Sequence, residues 1–189
     1  MMAAFTLPAI IEKIRNKWPK IEIEIIASSD SSDLSRREAD IAIRNYRPTQ
    51  QELIARRVQN TLGHLYASKS YIKTLEHREI PQDLNNAVFF GADHSNRIIS
   101  YLSKFGFQLS LNNFPIIVDN HLVQWEMVKQ GIGIGFMAAH IGDAEPLVER
   151  VLPTLPAFET ETWLVTHREL KTSSRLRIVF DYLADELSE

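Results

Sequence analysis

The sequence predicts an α/β fold, and three observations carry that prediction. Short apolar stretches of strand length alternate with stretches of helical periodicity along the chain, which argues for helices crossing a sheet with parallel pairing. The stretch Val128-Lys-Gln-Gly-Ile-Gly-Ile-Gly-Phe-Met137 reads as a helix end, a glycine stop and a short buried strand. Gly131 falls where a helix C-terminus takes positive φ, which glycine adopts without a Cβ penalty. Ala39–Arg44 has few polar residues, as expected of a parallel strand covered on both faces.

The elements follow in order. Leu7, Ile10, Ile11 and Ile14 fall at i, i+3, i+4 and i+7, a helical face. Pro8 suits only a first turn, so the helix starts near Phe5 to Leu7, and Trp18-Pro19 ends it. Ile21–Ile25 alternates with glutamates at period two, a half-buried strand with Glu22 and Glu24 facing solvent. The polar loop Ser28–Ser32 either caps the next helix or bonds a ligand. In the strand Ala39–Arg44, Asp40, Ala42 and Arg44 share one face, and Arg44 emerges at the C-terminal end. That is the ligand edge of open α/β sheets, where a guanidinium can clamp a carboxylate. Further strands are expected at 62–67, 87–91, 115–118 and 160–167. Helices are expected at 68–75 with a serine cap and at 96–105 ending at Gly106. Another spans Leu122–Gln130, capped by Asp119 or Asn120, with Val123 and Met127 on its core face. A closing helix capped by Ser173 or Ser174 turns Leu176, Val179, Phe180, Leu183 and Leu187 inward.

Several function classes are excluded. In 128–137 the order is helix, glycines, strand, the reverse of a dinucleotide fingerprint, and a third glycine would have to stand at Phe136. The alternating glycines instead leave one strand face bare for a backbone or a ligand. Hydrophobic residues are 44% and charged residues 24% of 189, ordinary for a globular chain, and the net charge of −3 gives no basic field for nucleic acid. There are no cysteines, hence no disulfides or thiol chemistry, in keeping with a reducing cytoplasm. No membrane span or secretory signal is visible. No catalytic elbow, zinc-protease pair or phosphate loop appears, the six histidines are scattered, and neither cofactor nor metal is expected. The chain does not read as an enzyme.

Four pieces carry a resemblance in one order: Arg37-Glu-Ala-Asp-Ile-Ala-Ile-Arg44, Leu65-Tyr-Ala-Ser-Lys-Ser-Tyr71, Val128-Lys-Gln-Gly-Ile-Gly-Ile-Gly135 and Trp163-Leu-Val-Thr-His-Arg-Glu-Leu170. Together they resemble the effector-binding domain of LysR-type transcriptional regulators over nearly the whole chain. The resemblance implies two α/β lobes similar to type 2 periplasmic binding proteins, joined by two crossover strands. Lobe one would comprise residues 1–61 plus 164–189, and lobe two residues 62–163. It implies a cleft lined by Ser28, Ser29, Arg44, Asn45, the loop Gly91 to His94, Asn120, His121, Phe136 and Met137. Helix N-termini and these cationic groups favour a small anion such as a carboxylate.

The resemblance also implies ligand-driven hinge closure and a homodimer of lobe one against lobe two, with DNA bound only through a winged helix-turn-helix not seen here. The family strand that precedes Leu7–Lys17 has no counterpart in Met1–Phe5. A gap, an aberrant pairing or a borrowed strand could each answer that loss. A free-standing solute-binding protein, or an enzyme on the same two-lobed fold, are the competing readings.

Overall fold

The helical spacing of Leu7, Ile10, Ile11 and Ile14 produces α2 (Leu7–Lys17), with Pro8 in its first turn and Ile10 and Ile14 buried. A single extra turn, α1 (Met2–Phe5), precedes it. The computed structural model describes residues 1–27, 39–169 and 173–188. These divide into two compact units, Met1–Thr61 with Glu159–Glu189, and Leu62–Phe158. The chain thus returns to unit 1 at Glu159.

In unit 1, β9 (Trp163–His167) lies between β1 (Ile41–Arg44) and β2 (Leu53–Arg57), antiparallel to both. The expected parallel pairing of Ala39–Arg44 is therefore corrected among the described residues. The reason is topological: the central strand is the returning segment, and it runs against the two strands laid down first. Ile41, Ile43 and Leu164 turn one sheet face to α2 and to the closing helix α7 (Ser174–Glu186), joined by Leu183 and Leu187. Lys17 sits over the rings of Trp18 and Tyr182 at 4.8 and 5.2 Å, a cation–π contact that ties the end of α2 to α7.

The strand expected at Ile21–Ile25 does not form. Ile21 N–H donates to Trp18 O, and Arg15 Nη1 donates to the carbonyls of Pro19 and Ile21. These bonds engage both backbone groups of Ile21, and among the described residues no strand pairs with 21–27. Glu22 and Glu24 are exposed, as the alternation implied.

In unit 2, β3 (Thr61–Ser68) pairs antiparallel with β6 (Gly135–Ala138) and β7 (Val148–Arg150); β8 (Phe158–Thr160), where the chain passes from unit 2 to unit 1, also pairs with β3. β4 (Phe90–Gly91) pairs parallel with β5 (Ile116–Ile117), and a parallel bridge joins Phe89 to Ile134. Helices α3 (Lys69–Ile72), α4 (Arg97–Ser103), α5 (His121–Lys129) and α6 (Ala139–Gly142) follow their strands. Ser68 caps α3, its hydroxyl accepting from Tyr71 N at 3.1 Å. Gly131 has φ 79°, the helix stop read from the sequence. The bare face of the glycine-laced strand is filled by protein: a Cβ at Gly133 would meet the Val88 carbonyl and one at Gly135 would overlap Val128.

The core face of α5 is corrected too. Gln124, Trp125 and Val128 are buried there, whereas Val123 is 47% exposed. The helix packs on the ends of β4 and β5 through Gln124, and Trp125 and Val128 share that face one and four residues on.

Tyr66 in β3 is wholly buried and donates to Asp143 Oδ1 at 2.8 Å, while Arg150 Nε donates to the same oxygen at 2.8 Å. Burial, then this bond, pushes the phenol up to about 12. His64 packs edge-on to Tyr66, and burial followed by the charge of Arg150 lowers its pKa. The signs give two limbs. The raised phenol contributes stability below pH 10 that is lost as pH rises towards 12; the lowered imidazole contributes stability above pH 6.5 that is lost as pH falls below it. Urea midpoints measured across pH should show both limbs, and Tyr66→Phe should flatten the alkaline one. An unchanged alkaline limb in that variant would place the effect elsewhere.

Candidate functional site

Each unit presents part of the expected site, and each part is built by a strand end. In unit 1, β1 terminates in Arg44, which is buried, with its guanidinium carbon 5.7 Å from the Tyr46 ring. The antiparallel register sets Arg44, Trp163 and Arg57 in one row across β1, β9 and β2, so the three side chains share a face. Arg47 lies over the Trp163 ring at 5.5 Å. Trp163 Nε1 donates to Glu161 Oε2 at 2.9 Å, and Arg57 pairs with Glu161 at 3.4 Å. Asn45 follows β1 in an exposed bend. Ser28 and Ser29 lie outside the described residues.

In unit 2, the loop between β4 and α4 carries His94, which is exposed. Its backbone is organised by Asp93: Oδ1 accepts from Ser95 N at 2.7 Å and Ser95 Oγ at 2.5 Å, and Oδ2 accepts from Arg97 Nη2 at 3.0 Å. The Ser95 bonds, then Arg97, hold the Asp93 carboxyl below the usual carboxylate range. Behind His94 opens a hollow of about 280 Å³ between α4 and the segment 111–117.

Asn120 caps α5: Oδ1 accepts from Leu122 N at 2.9 Å and Val123 N at 3.3 Å. The cap commits that oxygen to the helix and leaves the amide nitrogen as its donor. Asn120→Ala should cost about 1 kcal/mol, read as a lower urea midpoint with an unchanged slope. His121 opens the helix on the exposed side. Desolvation of its ring lowers its pKa, opposed by a hydrogen bond with Gln124. Gln124 is buried and donates to the carbonyls of Gly91 and Val118, fastening α5 to the ends of β4 and β5. Phe136 in β6 is half-buried and lies over Gly63, where a Cβ would overlap its ring. Met137 has no exposed surface.

The structure therefore brings Asn120 and His121 together by chain adjacency, and sets Arg44 in a row the sequence did not reveal. Trp163 and Arg57 were missed because their proximity depends on strand register across more than a hundred residues. The guanidinium–indole pair Arg47–Trp163 had no local signal either. Among the described residues no helix is long and apolar enough to cross a membrane.

Residues 1–188 match the LysR substrate binding domain family. No curated protein sequence matches the chain. Among solved structures, the regulatory domain of CrgA, a LysR-type transcriptional regulator from Neisseria meningitidis, is similar at 18% identity. It superposes with a TM-score of 0.85, covering 98% of this chain and 94% of that one. The regulatory domain of Synechocystis PCC6803 CcmR, solved in complex with 2-PG, is similar at 14% identity and a TM-score of 0.79, covering 100% and 94%. The full-length Vibrio cholerae virulence activator AphB, at 16% identity and a TM-score of 0.77, is covered over 64% of its length by 96% of this chain. The family fold is a two-lobed, periplasmic-binding-protein-like α/β domain, as the four sequence pieces implied. The chain belongs to the LysR substrate-binding domain family.

Proposed function

We propose that this domain senses a small anionic effector, a carboxylate by preference, in a cleft between its two lobes. Its closure is transmitted to a homodimer and to a DNA-binding domain carried elsewhere in the regulator. The observation that carries this reading is the family match over residues 1–188. The CcmR regulatory domain in complex with 2-PG supports a small-molecule role for the fold. Arg44 supplies the cation, with Asn45, the donor side of Asn120, His121, His94 and the serines Ser28 and Ser29 as polar partners. Phe136 forms the apolar wall; Met137, named with it from the sequence, has no exposed surface and points to the opposite face of β6, so it takes no part.

The mechanism is differential binding: a ligand shifts the closure equilibrium only by the difference in its affinity for the two states. Coupling of about 1–3 kcal/mol suffices to change the geometry of an oligomer. The regulator acts in the cytoplasm and performs no chemistry on the effector. A thermal-shift panel of small carboxylates and amino acids tests the reading. At a hundredfold excess over Kd a native-state ligand adds about 2.7 kcal/mol, a rise of roughly 5–10 °C in Tm. Arg44→Ala should abolish an anion's shift. A shift that survives the substitution removes Arg44 from the clamp, and turnover of a bound compound would favour the enzyme reading instead.

A further inference from the structure

The chain passes between its two units twice, at Thr61–Leu62 and at Phe158–Glu159. On the unit 1 side the two crossover segments are bonded to each other. Val58 N–H donates to the carbonyl of Thr162 at 3.0 Å, and the hydroxyls of Thr61 and Thr162 meet at 3.3 Å. Thr162 is 1% exposed, and a hydroxyl so buried needs such a partner.

On the unit 2 side the link is one aromatic ring. Phe136 of β6 stands opposite Leu65 of β3, which makes Gly63, two residues along β3, its diagonal neighbour on the same face. The ring leans over that glycine, and its tip fills the space in which a Cβ at Gly63 would stand. Gly63 is not among the glycines of positive φ, so room rather than backbone conformation calls for glycine here. From this seat the Phe136 ring meets that of Phe158 edge-on, with centroids 5.8 Å apart. Gly63 is the second residue of unit 2 after the first crossover, and Phe158 is the last before the second. One side chain thus rests on both places where the chain leaves unit 2. Phe136 is only half-buried, so part of its surface is open to a molecule.

We propose that Phe136 is a positioning residue for the hinge, with Gly63 as its socket. A molecule that meets the open side of the ring acts on both crossover segments at once, because the ring cannot move without leaving its seats on Gly63 and Phe158. What meets the ring rests on the effector reading above; the hold of the ring on the crossovers does not.

Proximity alone does not establish coupling, so the test is a cycle of substitutions read far from the ring. The chain has no cysteine, so Asp181→Cys on α7 and Glu149→Cys on β7, both exposed, place one nitroxide label in each unit. Pulsed electron spin resonance measures their separation, with labelled chains diluted in unlabelled ones so that each distance lies within one chain. Gly63→Ala, which unseats the ring, should shift the mean separation by about 2 Å or more. In a Phe136→Ala background the same alanine should shift it no further. Phe136→Leu, which keeps an apolar group but loses the ring contact, should broaden the distribution, and it decides the matter if Gly63→Ala does not fold. Leu84→Val, in the core of the same unit, should lower Tm and leave the distribution as it is. The proposal is overturned if folded Gly63→Ala or Phe136→Leu leaves the distribution unchanged, if the alanine shift is undiminished without the ring, or if Leu84→Val reproduces it. No bound molecule is needed, so a carboxylate panel without a hit removes the effector reading and leaves this result standing.

Discussion

Phe158→Ala is expected to lower the stability of unit 2 by about 3–5 kcal/mol, the cost of emptying a fully packed aromatic site. Phe158 is 1% exposed. Its ring lies 4.6 Å from Phe105, 5.8 Å from Phe136 and 5.9 Å from Tyr101, all in tilted or edge-on geometry. Truncation removes the burial and the ring pairs together, and the three neighbours come from β6 and the end of α4, which cannot all collapse inward. The check is a urea titration: the midpoint should fall sharply with an unchanged slope, and Phe158→Leu should lose less. A loss below about 1 kcal/mol would mean that the ring is not a core residue of this cluster.

Gly142→Ala should cost roughly 2–4 kcal/mol, from overpacking and from a weakened charge-assisted hydrogen bond. A Cβ at Gly142 would stand 2.2 Å from the Tyr66 ring, a severe overlap. That ring has nowhere to go. It is fully buried, packs edge-on to Trp125 at 5.9 Å and is tied to Asp143 through its hydroxyl. Moving it would break the bond to a carboxylate that also holds Arg150. The decisive measurement is a double-mutant cycle with Tyr66→Leu. In that background the alanine should be far better tolerated; an undiminished penalty would show that the clash is not its cause.

Much of the local structure was legible because it is decided locally. Apolar spacing at i, i+3, i+4 and i+7 produced α2, a serine and an asparagine at strand ends capped α3 and α5, and Gly131 took its positive φ. Pairing was less legible. Parallel and antiparallel strands of this length share one apolar pattern, so the residues of Ala39–Arg44 suit a parallel strand although β9 runs against them. The strands β2 and β7 escaped notice because Leu53–Arg57 and Val148–Arg150 carry little apolar periodicity and exist only by their partners. Ile21–Ile25 failed in the opposite sense: its alternation is strong, but among the described residues it has no strand to pair with.

The candidate site divides in the same way. Arg44 could be singled out from its place at a strand end, and Asn120 from its place before a helix. The row Arg44–Trp163–Arg57, the Asp93–Ser95–Arg97 motif and the hollow behind His94 could be found only in three dimensions. By itself the sequence determined the α/β class, the family, the helix stripes and the caps, since these follow from spacing and from backbone conformations that single residues prefer. Tertiary structure alone decided strand direction, register and the shape of the hollow. Those depend on which distant segments meet, and the free energy of meeting belongs to pairs of residues rather than to either one.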